Sequence, residues 1–489
     1  MGTANLDILC KALGYLLADL WAHGSRVAAL AQLHHTLYDS ENRQVFESPN
    51  QTNAYETRTL ASAAAGRLDS WTPTEWEREI RVSPYAVLQA IDKCCGATAP
   101  TLNSDGADVL LPNALYNLGI STVKVIADLG TSNERKEVIS VYVLKNPHRS
   151  YATGQGGSRH YYTPNHWCFP VIRDGFIRRV KPLRSQVTVD TIRTLVSSRQ
   201  PLKVALVELP EVVHKAHIRP EPGKESRWLS GGLENESLIR DAVLFAIQRA
   251  REDRVHVVQL GELCGTEAIW NALIAEIQSV EWQENPMIVI GPTRHEIGSD
   301  GKARNICRAL DAQGIEIDEA THTKINWVSL SRVLDNHTAI EEAIEPGTEL
   351  SLVATDAGLM LIVICHDLSQ ALQNHSLVRA LSDLPLRILF VPSMSKSTTA
   401  HQRAAQFVNL ESDAHVVVAN QSLVKFWIDD TTSWLDGGSF WRRGEVAGNL
   451  ALDVEVICYR VKESAGELHL ESAPAKCVNS VKTPLSIKN

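Results

Sequence analysis

Leu359-Met360-Leu361-Ile362-Val363-Ile364-Cys365-His366-Asp367 is the stretch that decides the fold. From Leu359 to Cys365 it is apolar without interruption, too short to span a membrane and long enough for a strand. A strand buried on both faces gives such a run, and runs of this kind alternating with helices imply layered α/β architecture. Working outward, the same rhythm predicts strands at 202–209, 255–260, 286–291, 349–355, 387–392 and 415–420. Helices are expected at 236–251, 266–279, 368–382 and 398–411, and a strand–turn–strand unit at 304–326. The Gly- and Pro-containing stretch between 209 and 236 reads as loop, and 451–460 as a strand.

The chain has 489 residues, 44% of them hydrophobic and 21% charged, which is globular composition with room for two domains. A net charge of −9 argues against a globally basic nucleic-acid coat. Nine cysteines follow no framework spacing, so reduced thiols in a cytoplasmic setting are expected. Asp7 and Lys11 interrupt the first apolar stretch, and Leu6 stands where myristoylation asks for Ser or Thr. Neither a leader nor a membrane anchor is expected.

Residues 1–199 read as a separate, mixed α/β domain. Leu6, Leu9, Leu13, Leu16, Leu17 and Leu20 place a helix within 5–40, and Thr72-Pro73-Thr74-Glu75 and Ser83-Pro84 start two more. Val138–Leu144 alternates like a strand, and Val171–Ile177 reads as a hairpin around Asp174-Gly175. From Lys145 to Arg199 ten Lys or Arg accompany two acids, Asp174 and Asp190. With Tyr151, Tyr161, Tyr162, Trp167, Phe169 and Phe176 interleaved, this stretch makes single-stranded nucleic acid a candidate partner. The plainer alternative is a solvated basic face against an acidic protein surface. His160, His166 and Cys168 match no standard zinc spacing, and Gly154-Gln155-Gly156-Gly157 lacks the Lys of a phosphate loop. No metal site is expected.

Three polar residues sit at or near strand ends in the C-terminal half: Glu262 after Val257-Val258-Gln259-Leu260-Gly261, Lys324 after 315–323, and Cys365. An acid, an amine and a thiol where strands end and loops begin form a catalytic candidate set. In this order, and with these flanks, residues 201–425 resemble the carbon–nitrogen hydrolase (nitrilase/amidase) superfamily. The resemblance rests on Gly261-Glu262-Leu263, on Asn305 through Gly314 followed by Thr323-Lys324-Ile325, and on Val363-Ile364-Cys365-His366-Asp367. Phe390-Val391-Pro392-Ser393, Arg403-Ala404, Glu411 and Val418-Ala419-Asn420 match later segments. Gly261 replaces the usual proline, His366 replaces an aromatic, and the Arg-x-Pro-Glu tail is absent.

The resemblance implies a four-layer α-β-β-α sandwich for 200–460, preceded by the 1–199 domain and followed by a tail, 461–489. It implies a Glu-Lys-Cys hydrolase of small amide, carbamoyl or nitrile substrates, working through a thioester or thioimidate without a cofactor. Acyl transfer to an amine is the related option. Glu262 would be the base, Lys324 and the His366 backbone N–H the oxyanion partners, and Cys365 the nucleophile. A second, orienting glutamate is expected upstream of Pro346-Gly347: Glu341 is the match, with Glu342 and Glu345 as rivals. Pairing into homodimers or larger homo-oligomers is implied as well. The competing class is a regulatory or binding protein that uses this scaffold, its basic N-terminal region contacting nucleic acid or a protein.

Overall fold

The computed structural model describes four strands between residues 121 and 173, and then residues 175–474. Within the latter, 220–225, 329–339, 371–376, 378–379, 382–383, 385, 396–398, 413, 422, 429–430 and 436–453 are excepted. The chain divides into two compact units, Met1–Ile172 and Arg173–Asn489. In the first, Ser121–Asp128, Lys136–Lys145 and His166–Pro170 form an antiparallel three-stranded sheet. The strand expected at Val138–Leu144 is its central member. The helices expected at 5–40 and after 72 and 83, the Gly154–Gly157 loop and His160 lie outside the described residues.

The second unit contains two six-stranded sheets. One runs Ala309–Asp311, Ile288–Ile290, Val257–Gln259, Leu202–Glu208, Val454–Ser464, Glu467–Pro474, its four central strands parallel. The other runs His415–Asn420, Leu386–Ser393, Gly358–Ile362, Glu349–Thr355, Phe176–Pro182, Ile172–Arg173. Leu386–Ser393 and His415–Asn420 are buried at every residue, as their apolar runs predict. Gly175, at φ +90, turns the chain into Phe176–Pro182, a conformation glycine adopts without strain.

Strand alternation assigns the two faces of Leu202–Glu208. Val204 and Leu206 join one core with Val257, Ile288, Ile362 and Phe390, so this core holds side chains of both large sheets. Ala205 and Val207 join a second core with the helices Glu236–Glu252 and Glu267–Gln278, through Ile239, Ala246, Ile269 and Leu273. Thr266 caps the second of these helices, accepting from Ile269 N–H at 3.2 Å. No helix among the described residues is long and apolar enough to cross a membrane.

Three expectations differ from the structure. Phe176–Pro182 pairs in parallel with Glu349–Thr355, and Val189, Ile192 and Leu195 of the helix Gln186–Ser198 enter the core with both sheets. The boundary therefore falls at 172/173 and not at 199/200. Glu467–Pro474 pairs along Val454–Ser464, so the second unit continues past 460. Within 210–235, read as loop, Val212–Arg219 and Arg227–Leu233 are strands. They sit in a five-stranded sheet ordered Glu341–Glu342, Arg227–Leu233, Val212–Arg219, Val424–Ile428, Thr431–Leu435. Charged residues along this hairpin hid its periodicity, which long-range pairing with Val424–Ile428 fixes.

Candidate active site

Glu262, Lys324 and Cys365 reach one buried centre from three different connections. Glu262 follows Val257–Gln259, and its backbone N–H donates to Ser393 O at 3.2 Å. A Cβ on Gly261 would stand 3.0 Å from that of Gln421, so glycine suits this close approach between strand ends. Leu263 then turns at φ +54, held by its N–H on Thr293 Oγ1 at 2.9 Å. Lys324 follows the short strand His322–Thr323, its N–H donating to Asn305 O. Cys365 sits at φ +39, ψ −94, between the strand Gly358–Ile362 and the short helix His366–Ser369. Such a backbone costs on the order of 1–3 kcal/mol and persists where surrounding structure enforces it. Here Cys365 N–H donates to Pro392 O at 2.8 Å, and the Cys365 carbonyl accepts from Leu368 and Ser369.

The side chains form a dense network. Lys324 Nζ donates to Glu262 Oε1 at 2.7 Å and to Glu342 Oε2 at 2.6 Å. Asn305 Nδ2 contacts the Oε1 of both glutamates at 3.1 Å. Met394 N–H donates to Glu262 Oε2 at 3.2 Å, and the Cys365 thiol, close enough to Glu262 to affect its proton, donates to Met394 O at 3.7 Å. Ser393 Oγ donates to Cys365 Sγ at 3.3 Å and lies 3.2 Å from His401 Nε2.

Asp367 braces the thiol-bearing turn. Its Oδ1 accepts from the backbone N–H groups of Ile325 and Asn326, its Oδ2 from Ile364 N–H and His322 Nε2. The backbone on both sides of the site is thereby tied to one carboxylate.

Burial dominates the electrostatics. It raises the Glu262 carboxyl above its ordinary range; Lys324 opposes the rise and the Glu342 charge reinforces it. It likewise raises the Cys365 thiol, helped by Glu262 and opposed by Lys324. For Lys324 burial alone would favour the neutral amine, but Glu262, Glu342 and Cys365 outweigh it and raise the value. Glu342 also resists burial: Lys324 and His295 bring it down to about 2.

Of the three candidates for a second glutamate, Glu342 is the one that meets Lys324. In the two-residue strand Glu341–Glu342 neighbouring side chains leave on opposite faces, and Glu342 is the buried one. Glu345 pairs with Lys302 at the surface, 2.7 Å apart. His366 keeps its N–H at the first helical position, where no carbonyl of its own helix can receive it. Its half-buried ring rests on Ser369 Oγ at 3.1 Å, and burial, with the charge of Lys324, lowers it to about 4. The structure adds His295, Ser393, His401 and His322 to the expected set. The residue after an apolar strand was the signal for Ser393, which ends Leu386–Ser393; the three histidines carried none.

No protein-family model matches the chain, and no curated protein does either. Among solved structures it is similar, over its C-terminal part, to an amidase from Nesterenkonia sp. AN1, at 12% identity and a TM-score of 0.33, covering 54% of this chain and 91% of that one. A form of that amidase with acrylamide added at its active-site cysteine matches 43% of this chain and 78% of that one, at 11% identity and a TM-score of 0.31. The NitFhit protein of C. elegans matches 55% of this chain and 60% of that one, at 14% identity and a TM-score of 0.34. At these values the likeness transfers neither a substrate nor a residue role.

Proposed function

We propose that the second unit is a cysteine-dependent hydrolase of C–N bonds in small amide, carbamoyl or nitrile compounds. The observation that carries this reading is the convergence of Glu262, Lys324 and Cys365, with Lys324 Nζ 2.7 Å from Glu262 and the thiol beside the same carboxyl. A scaffold has no physical need to bury an acid, an amine and a thiol together, since each burial costs free energy.

The chemistry for an amide runs in two halves. Cys365 Sγ attacks the carbonyl carbon while its proton passes to Glu262. The oxyanion accepts from Lys324 Nζ, two of whose three N–H groups serve Glu262 and Glu342, and from the His366 N–H. When the C–N bond breaks, Glu262 returns the proton to the departing amine and a thioester remains. Water then attacks the thioester, giving one proton to Glu262; the acid leaves and that proton goes back to sulfur. An amine in place of water would make the same intermediate a transfer product.

The α-β-β-α layering belongs to this proposal. It is supported by the shared core of the two large sheets and by the helix pair packed on the first. On the other side, Leu377, Ala380, Ala404 and Val408 are buried. Pairing into homo-oligomers and a cytoplasmic setting are further expectations of the same reading, as is a separate role for residues N-terminal to the unit.

The test is treatment of the full chain with acrylamide, followed by peptide mass spectrometry. An adduct on Cys365 that is lost in Lys324→Met is the expected result. An untouched Cys365 beside modified Cys458, the half-exposed thiol, would overturn the hydrolase reading.

A further inference from the structure

Glu262 and Glu342 share the ammonium of Lys324, yet only one of them can be the acceptor of the thiol's proton. Their hydrogen-bond partners match almost one for one. Each accepts from Lys324 Nζ and from Asn305 Nδ2. Each accepts one backbone N–H as well, Met394 for Glu262 and Val328 for Glu342, at 3.2 and 3.1 Å. What remains is the difference: Glu262 faces Cys365, whose thiol donates at 3.7 Å to the carbonyl of Met394, and Glu342 has His295 Nε2 at 2.9 Å.

We propose that His295 is a positioning residue that holds Glu342 as a saturated acceptor, so that the proton leaving Cys365 goes to Glu262. This rests on the hydrolase reading and deepens it. The tautomer is set by the backbone: Ser230 N–H donates to His295 Nδ1 at 2.9 Å, which leaves the ring proton on Nε2, aimed at Glu342. The ring cannot turn away, for its side chain is 1% exposed and the indole of Trp228 packs on it with centroids 5.4 Å apart. Trp228 and Glu342 are register partners on parallel strands, and Ser230 shares the strand of Trp228. One sheet thus places the backbone donor, the indole and the carboxylate around His295, which stands on the separate strand Arg294–Ile297. Of the ionisable groups around His295, His214 lies close by. Arg294 and Glu296, its neighbours in sequence, pair with each other at 2.8 Å. Glu342 is then the only carboxylate bonded to the ring among the described residues. The direction of the two carboxyl shifts agrees, Glu342 down and Glu262 up.

The experiment follows the pH dependence of Cys365 alkylation by iodoacetamide, read by mass spectrometry on the full chain, in the parent, His295→Leu and His295→Gln. Without the donor, Glu342 competes for the proton. The acid-side midpoint in His295→Leu is then expected to rise by about one pH unit, with alkylation below it roughly tenfold slower. Gln offers an N–H near the position of Nε2 and is expected to restore the parent's midpoint. A His295→Leu profile lowered equally at every pH, or one that Gln fails to restore, would overturn the proposal, because a merely structural role acts that way. Should His295→Leu not fold, His295→Asn replaces it: its amide lies near Nδ1 and misses Glu342, so its midpoint must rise while that of Gln does not. Equal midpoints for Asn and Gln overturn the proposal too. Failure of the hydrolase reading looks different, as a parent protein whose Cys365 resists alkylation at all pH values.

Discussion

Ser393 Oγ stands 3.3 Å from Cys365 Sγ and donates its hydroxyl proton to the sulfur. In the proposed reaction the sulfur carries negative charge as it attacks, and a hydrogen bond to a charged group contributes about 1.5–3 kcal/mol. Ser393→Ala is therefore expected to slow Cys365 alkylation between about tenfold and a hundredfold at neutral pH. Ser393→Cys or Ser393→Thr, which keep a donor, should lose less. The Ser393 carbonyl, which accepts from Glu262 N–H and Gln421 N–H, is unchanged by any of them.

Asp367 is expected to matter for folding more than for chemistry. It is fully buried and accepts four N–H groups, from both the segment after Lys324 and the turn before the thiol. Asp367→Asn turns one oxygen into a donor facing donors. Breaking a buried ionic network of this kind costs about 3–5 kcal/mol. Urea unfolding should show a lower midpoint with an unchanged slope; a loss under about 1 kcal/mol would mean the brace contributes little.

Much of this was legible in the sequence, for a physical reason. Glu349–Thr355, Leu386–Ser393 and His415–Asn420 are apolar along their length because both faces are covered, so composition alone marks them. Glu262 and Cys365 stood out as polar residues at or near the ends of such runs, and Lys324 by its place after 315–323. Glu342 did not, because a two-residue strand has no period to tell its face from that of Glu341. His295 was invisible for a different reason. Its role comes from a strand partner of Trp228 and a backbone N–H of Ser230, both distant in sequence, and the hairpin that carries them read as loop.

His214 sets an acid limit on stability. Burial lowers it from 6.5 to about 3, and its ring stacks on Phe426 with centroids 5.3 Å apart. Its pKa is depressed, so the unfolded chain binds the proton first. Stability is then complete above pH 6.5 and falls as pH drops from there toward 3. The loss available from this one group is on the order of 5 kcal/mol. Thermal unfolding between pH 7 and 4 should show a shallower decline in His214→Gln than in the parent. Equal slopes would assign the acid sensitivity elsewhere.

Gly347 tests how tightly the position of Lys324 is held. Its N–H donates to Lys324 O at 2.8 Å, and a Cβ built on it would stand 2.4 Å from Thr323 O, a backbone atom that cannot rotate aside. Its φ lies outside the left-handed region, so an alanine there meets a steric obstacle and no backbone strain. Gly347→Ala must push the 323–324 segment off its place, which moves the Lys324 ammonium relative to Glu262 and Glu342. Overpacking of this kind costs about 1–3 kcal/mol, and a displacement near 1 Å at a catalytic group costs on the order of a hundredfold in rate. Gly301 supplies the contrast: it has φ +74 and nothing within 4 Å of a built Cβ, far from any packing. Gly301→Ala is expected to cost about 1 kcal/mol of stability through its backbone alone and to leave Cys365 alkylation unchanged. If Gly347→Ala behaves like Gly301→Ala, with stability slightly lower and the thiol as reactive as before, the Lys324 segment yields more easily than its contacts imply.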